Sequence, residues 1–287
     1  YVVTLKPAGG VEGRVTLEDG SPVPIRLYVE CAPVGRAERS DIPPACKSFT
    51  DGTFRATLPA GRYLLAVGGD PWLVTEPVAV EVAAGSVTRA ALVAKPGGMI
   101  EGRVPGGKGA QVLVSTPGND KPLSSRFSGM SMNRRQGFAA ILADETYKAG
   151  PLVPGRYVVT AVVYKPGSCG MRQIVEVAAG ETARCDLAIV ATGRLLVRGL
   201  KPGEEMALFF ADGAPVSYEG VEFGQIAAHL GGKPTDKEVA HAAAHADAQG
   251  VWRRFELIPG TYRMVRAGEA TSVEIRGGET ASLDLSR

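Results

Sequence analysis

Apolar and polar positions alternate with a period of two in short runs along the whole chain. Val11-Glu12-Gly13-Arg14-Val15-Thr16-Leu17 is the first such run; Ile25, Leu27 and Val29 line one face of the next. Tyr63, Leu65 and Val67 follow, then Val78, Val80 and Val82. Alternation over four to eight residues is the signature of a half-buried strand, because successive side chains leave a strand on opposite faces. Turn-forming clusters separate the runs: Glu18-Asp19-Gly20-Ser21-Pro22 is one, and Asp51-Gly52 centres a hairpin between Phe49 and Phe54.

The pattern repeats at long range. Leu58-Pro59-Ala60-Gly61-Arg62-Tyr63 returns as Leu152-Val153-Pro154-Gly155-Arg156-Tyr157 and as Leu257-Ile258-Pro259-Gly260-Thr261-Tyr262. Each copy precedes a second phrase, Val80-Glu81-Val82-Ala83-Ala84-Gly85, Val175-Glu176-Val177-Ala178-Ala179-Gly180 and Val273-Glu274-Ile275-Arg276-Gly277-Gly278. The turn glycines Gly61, Gly155 and Gly260 lie 94 and 105 residues apart. Units of about 100 residues are the size of a small β-sandwich. The expected architecture is all-β: three tandem antiparallel β-sandwiches at 9–95, 96–190 and 191–287. Residues 1–8 read as the last strand of a preceding unit, or a linker. In each corner phrase a tyrosine enters a core strand directly after a turn, placed to bond its hydroxyl back to the turn.

The units differ in their insertions. Unit two carries a polar loop from Ser115 to Gly137, with Phe127, Met130 and Met132 along it. Unit three carries Thr235-Asp236-Lys237-Glu238, a capping box, before an Ala-rich stretch that ends at Gly250. That predicts one helix over about 235–249, with Val239, Ala242, Ala243 and Ala246 as its apolar stripe.

Composition narrows the function classes. Basic and acidic residues nearly balance, 32 against 30, and no basic run is interleaved with aromatics, so nothing points to nucleic acid. No apolar stretch approaches 18 residues, which leaves no membrane-spanning helix to predict. Cys31 and Cys46 fall in unit one, Cys169 and Cys185 in unit two. Closing loops of this length would contribute about 3 kcal/mol each. The expected bridges are Cys31 to Cys46 and Cys169 to Cys185, in an oxidising compartment; the alternative is four reduced core thiols.

Four phrases recur in order: Gly-x-Val-x-Gly-Arg-Val, Thr-Asp-Gly-x-Phe, Leu-x-Pro-Gly-x-Tyr and Val-x-Val-x-x-Gly. Together they resemble the carboxypeptidase regulatory-like repeats of bacterial surface and secreted proteins. The resemblance implies a transthyretin-like (prealbumin-like) β-sandwich, related to Ig-like folds, in each unit. It implies spacer, adhesion, accessory or carbohydrate-binding roles and no single activity. Some similar surface sandwiches form a Lys–Asn/Asp crosslink from the first strand. Here that position holds Arg14 and Arg103, so none is expected.

Candidate chemistry is sparse. His229, His241 and His245 are the only histidines. Glu238, His241 and His245 have the helical spacing to share an adventitious divalent transition metal, the one cofactor to consider. His245, Asp247, Gln249 and Glu256 follow calcium-loop spacing but lack two of its carboxylates. Gly102 to Gly109 spells most of a phosphate loop, in a strand context that suits turn glycines better. Trp72, Tyr63, Trp252 and Tyr218 are candidates for a sugar-stacking platform, with core or edge packing as the competing role. No nucleophile–base set appears, and units one and two contain no histidine.

The expectation is a non-enzymatic structural, adhesion or assembly segment of a larger exported bacterial protein, extracellular, surface-bound or periplasmic. Its partners would be neighbouring domains of the same array and a protein or glycan ligand. The alternatives are a carbohydrate-binding accessory module and a filament or surface-layer subunit using residues 1–6 for strand addition.

Overall fold

A computed structural model describes residues 8–23, 27–34, 45–68, 73–108, 110–117, 137–162, 167–216 and 241–286. Nearly all of the regular structure is strand. The first repeat contains β1 (Ala8–Leu17), β2 (Tyr28–Pro33), β3 (Ala45–Lys47), β4 (Thr53–Pro59), β5 (Gly61–Gly68), β6 (Leu73–Thr75), β7 (Val78–Val82) and β8 (Val87–Pro96). In the second lie β9 (Gly98–Arg103), β10 (Gln111–Ser115), β11 (Gly137–Ala140), β12 (Thr146–Leu152), β13 (Gly155–Val162), β14 (Ser168–Gly170), β15 (Arg172–Val177), β16 (Thr182–Arg184) and β17 (Ile189–Ala191). The third has β18 (Gly193–Arg198), β19 (Met206–Phe210), β20 (Trp252–Leu257), β21 (Gly260–Arg266), β22 (Glu269–Ile275) and β23 (Thr280–Asp284).

Buried side chains gather in three clusters, one per repeat. In the first, sheets ordered β4-β1-β8-β6 and β3-β2-β5-β7 face each other across the cluster. The second core lies between β12-β9-β16 and β11-β10-β13-β15, and the third between β20-β18-β23 and β19-β21-β22. Inward positions are the alternating apolar residues of the sequence pattern: Val11 and Val15 on β1, Leu65 and Val67 on β5, Val80 and Val82 on β7.

The sheets are not wholly antiparallel, which corrects the sequence expectation. The opening strand of every repeat pairs in parallel with a late one: β1 with β8, β9 with β16, β18 with β23. Hairpin logic covers sequential neighbours only. A closing strand that returns from the opposite sheet is free of it, and here it runs alongside the opening strand.

The opening strand must come very close to that partner. An added Cβ on Gly13 would lie 1.9 Å from the Ala90 carbonyl oxygen, and one on Gly102 1.8 Å from that of Cys185. Cross-strand from these glycines sit Phe54 and Tyr147, whose rings cover them. The glycine of one phrase therefore makes room for the aromatic of another. In the third repeat Val197 faces Trp252 instead.

The corner forms three times. Gly61, Gly155 and Gly260 have φ values of 158°, 151° and 151°, a region that glycine alone enters freely. The hydroxyl of Tyr63 donates to the Pro59 carbonyl at 2.9 Å, that of Tyr157 to Val153 at 2.5 Å and that of Tyr262 to Ile258 at 2.5 Å. Tyr157→Phe is expected to keep the fold and lose about 1 kcal/mol, because the buried carbonyl loses a donor while the ring keeps its packing. Urea unfolding of the variant checks this; an unchanged midpoint would show that the hydroxyl is dispensable.

Of the expected helix, the described residues contain 241–244, and the chain leaves it at His245, which bridges to Glu205. The helix therefore stops short of the predicted 249, because Asp247 instead builds a turn: its carboxylate accepts the N–H groups of Gln249 and Val251. Ala243 and Ala246 are buried as the stripe predicted. Residues 235–240, including Glu238 and Val239, lie outside the described residues, as do 1–7 and 118–136.

Candidate functional site

A set of polar contacts joins the second repeat to the third. It begins with a β-bulge. Between Leu195↔Arg254 and Gly193↔Leu257, Phe255 and Glu256 oppose Arg194 alone. Glu256 takes φ 52°, left-handed backbone for a non-glycine residue. The bulge aims its carboxylate out of the third repeat. One oxygen lies 3.0 Å and the other 3.2 Å from the Gly167 amide nitrogen, and the Thr192 hydroxyl donates at 2.7 Å.

A second contact lies beside it. Arg172 of β15 pairs with Asp212, just beyond β19, at 2.7 Å, and its guanidinium stacks 4.5 Å above the Phe210 ring. Phe210 in turn packs against Tyr262 with centroids 5.4 Å apart. Burial works against the charged Asp212, yet bonds from Arg172 and the Ala214 N–H outweigh it and hold the carboxyl below its ordinary range. Cys169 sits in the same junction. Burial first, then the Glu256 carboxylate, pushes its thiol up to about 12. Charge-assisted bonds at a short connection resist rotation between the parts they join.

The expected disulfides are absent: all four cysteines are free thiols. Cys46 is in register with Val29, so Cys31 is its diagonal neighbour. Diagonal backbone separations of about 7–8 Å exceed the span of a disulfide. Cys31 Sγ instead lies 3.9 Å from the Val29 carbonyl oxygen; the neighbouring Cys46 thiol and burial push Cys31 up, while Cys31 lowers Cys46 against the effect of its burial. Cys169 faces the junction, whereas Cys185 lies in the second core with its Sγ 3.6 Å from Gln173 Oε1.

His241 and His245 are brought together. Their rings stack with centroids 4.1 Å apart, and His245 Nδ1 lies 3.0 Å from the His241 carbonyl oxygen. Nδ1 is therefore the protonated nitrogen, leaving Nε2 as the position open to a ligand. Glu238 and His229 lie outside the described residues. Among the described residues no three His, Cys, Asp or Glu side chains are grouped to hold a metal. The calcium-loop residues are not assembled: Asp247 caps its own turn and pairs with Arg253, while Glu256 points into the junction. In the glycine-rich stretch after β9, the Gly106 N–H is taken by Glu145, so this is a turn, as the sequence context suggested.

The aromatic platform is not assembled. Trp252 is 1% exposed in the third core and Tyr63 is buried in the first. Trp72 and Tyr218 lie outside the described residues.

No family model matches this chain, and no curated protein matches it. Three solved structures are similar to this chain. The Bacillus anthracis TIE protein is 14% identical over 97% of this chain, with a TM-score of 0.25, and this chain spans 51% of its length. BcpA, the major pilin subunit of Bacillus cereus, in its D312A form, is 11% identical over 97% of this chain and 99% of its own, with a TM-score of 0.26. GBS52, a minor pilin of Streptococcus agalactiae, is 10% identical over 63% of this chain and 95% of its own, with a TM-score of 0.32. Among the described residues no helix is long and apolar enough to cross a membrane.

Proposed function

We propose that the chain is a non-enzymatic structural segment of an extracellular or surface-exposed bacterial protein. Three β-sandwich domains in tandem, at 9–95, 96–190 and 191–287, set the distance and orientation of whatever lies at either end. The observation that carries this reading is the junction at Glu256: a strained residue and a stacked ion pair spent on orienting one repeat against the next. The carboxypeptidase regulatory-like resemblance of the repeated phrases points the same way. With four free thiols, cysteine pairing no longer argues for an oxidising compartment, and the proposed location rests on that resemblance.

The test is orientational. Residual dipolar couplings of the whole chain are expected to fit one alignment tensor for the second and third repeats together. Glu256→Ala removes acceptors of charge-assisted bonds and is expected to cost the junction about 2 kcal/mol. Combined with Arg172→Ala, it should split the fit into two tensors while each core stays folded. Two tensors in the unaltered protein would sink the spacer reading.

A further inference from the structure

A groove of about 640 Å³ lies on the solvent face of the first repeat's β4-β1-β8 surface. That is within the usual size range of ligand sites. The register builds its floor in two rows. Arg55, Glu12 and Arg89 lie side by side across the three strands, and Thr53, Arg14 and Ala91 form the next row. Three arginines thus face Glu12, with Asp51 beside Arg14, whose Nε donates to the Asp51 carbonyl at 3.1 Å. Arg89 approaches Glu12 at 3.3 Å, yet its side chain remains 88% exposed. Phe49 stands at the rim, 61% exposed.

The second repeat contains the same two rows with two differences, Lys148 in place of Arg55 and an acid in place of Ala91. Lys148, Glu101 and Arg184 form the first, matching Arg55, Glu12 and Arg89. The close approaches of Gly13 to the Ala90 carbonyl and of Gly102 to that of Cys185 align the closing strands. Arg89-Ala90-Ala91 therefore corresponds to Arg184-Cys185-Asp186. In the second repeat the Asp186 carboxylate takes two bonds from the Arg184 guanidinium, each at 3.1 Å, and one from the Arg103 N–H at 2.9 Å. The first repeat keeps the arginines and has Ala91, a methyl group, where that carboxylate would originate.

We propose that this groove binds an acidic peptide segment, one of whose carboxylates takes the place over Ala91 that Asp186 fills in the second repeat. The spacing suits an extended peptide. Alternate residues of a strand are about 7 Å apart, so carboxylates at alternate peptide positions repeat at the distance that separates the Glu12 row from the Arg14 row along β1. Guanidinium groups match carboxylates in planar, paired geometry. The exposed ring of Phe49 offers an apolar contact to a neighbouring side chain and no polar atom with which to orient sugar hydroxyls.

The probe is a fluorescein-labelled hexapeptide with glutamate at alternate positions and a terminal leucine, titrated into the full chain and followed by anisotropy. Saturable binding is expected, weakening with added salt. Ala91→Asp installs the missing acid from within and should weaken binding about tenfold or more, as should Arg89→Ala. Both positions are exposed, and an unchanged thermal midpoint separates lost binding from lost folding. The glutamine version of the peptide should not bind. No saturable binding to the unaltered chain, equal binding by the Ala91→Asp variant, or equal binding of the glutamine peptide would overturn the proposal. So would binding of an oligogalacturonate in place of the peptide.

Discussion

Gly102→Ala is expected to unfold the second repeat's core while leaving the other two folded. The added methyl carbon would sit 1.8 Å from the Cys185 carbonyl oxygen and 3.1 Å from the Tyr147 ring. The oxygen is main chain, held by the parallel pairing in which Cys185 N–H donates to the Glu101 carbonyl at 2.8 Å. It also accepts the Tyr147 hydroxyl at 2.6 Å. No side chain can swing aside to relieve the clash, so β9 and β16 must separate and the tyrosine loses its acceptor. The cost should reach about 3 kcal/mol or more, at the upper end of overpacking effects. Because several cores titrate together, one global midpoint is the wrong readout. Hydrogen exchange resolved by segment should show protection lost across residues 98–191 and retained across 8–96. Unchanged protection in β9 and β16 would show that the strands do not need glycine there.

Trp252→Ala should be as damaging to the third repeat. Its indole is among the largest fully buried side chains, and its Nε1–H donates to the Ala243 carbonyl at 3.0 Å. Arg254 reaches the same carbonyl at 3.3 Å. The indole therefore does two things: it fills the core, and it fastens the helical turn of the insertion to the sheet. Truncation should cost about 3–5 kcal/mol, through the lost transfer energy and the cavity left behind. Trp252→Phe keeps most of the volume and isolates the indole bond, worth about 1 kcal/mol. Segment-resolved exchange should show the loss in β18, β20 and β23. A sugar-stacking role would predict the opposite, an alanine variant of full stability with altered glycan binding.

The features legible in the sequence are those that neighbouring residues decide. Tyr63, Tyr157 and Tyr262 each reach a carbonyl four residues back, so the corner phrase carries both partners of its own hydrogen bond. Alternation placed Val11, Leu65 and Val80 inward because the strand period is local. The parallel closure of β1 on β8 was not legible, since the two strands are more than sixty residues apart and no turn links them. The cysteine environments depend on register for a related reason. Their spacing in the chain suited bridges, but a one-step diagonal offset separates Cys31 from Cys46, and the second pair points into different surroundings. The groove has a trace in the sequence: aligning Arg89-Ala90-Ala91 with Arg184-Cys185-Asp186 shows an acid in the second repeat where the first has alanine. Glu256 left no such trace, because only a bulge in β20 turns it toward Gly167 and Thr192.

Strand periodicity, turn chemistry and the tyrosine corner follow from the chain itself, because their interactions close within a few residues. The parallel pairings, the thiol environments, the Glu256 junction and the open arginine rows depend on segments distant in sequence. For those, register and strand direction choose the partner, and a change of one residue in register or a single bulge redirects the side chain.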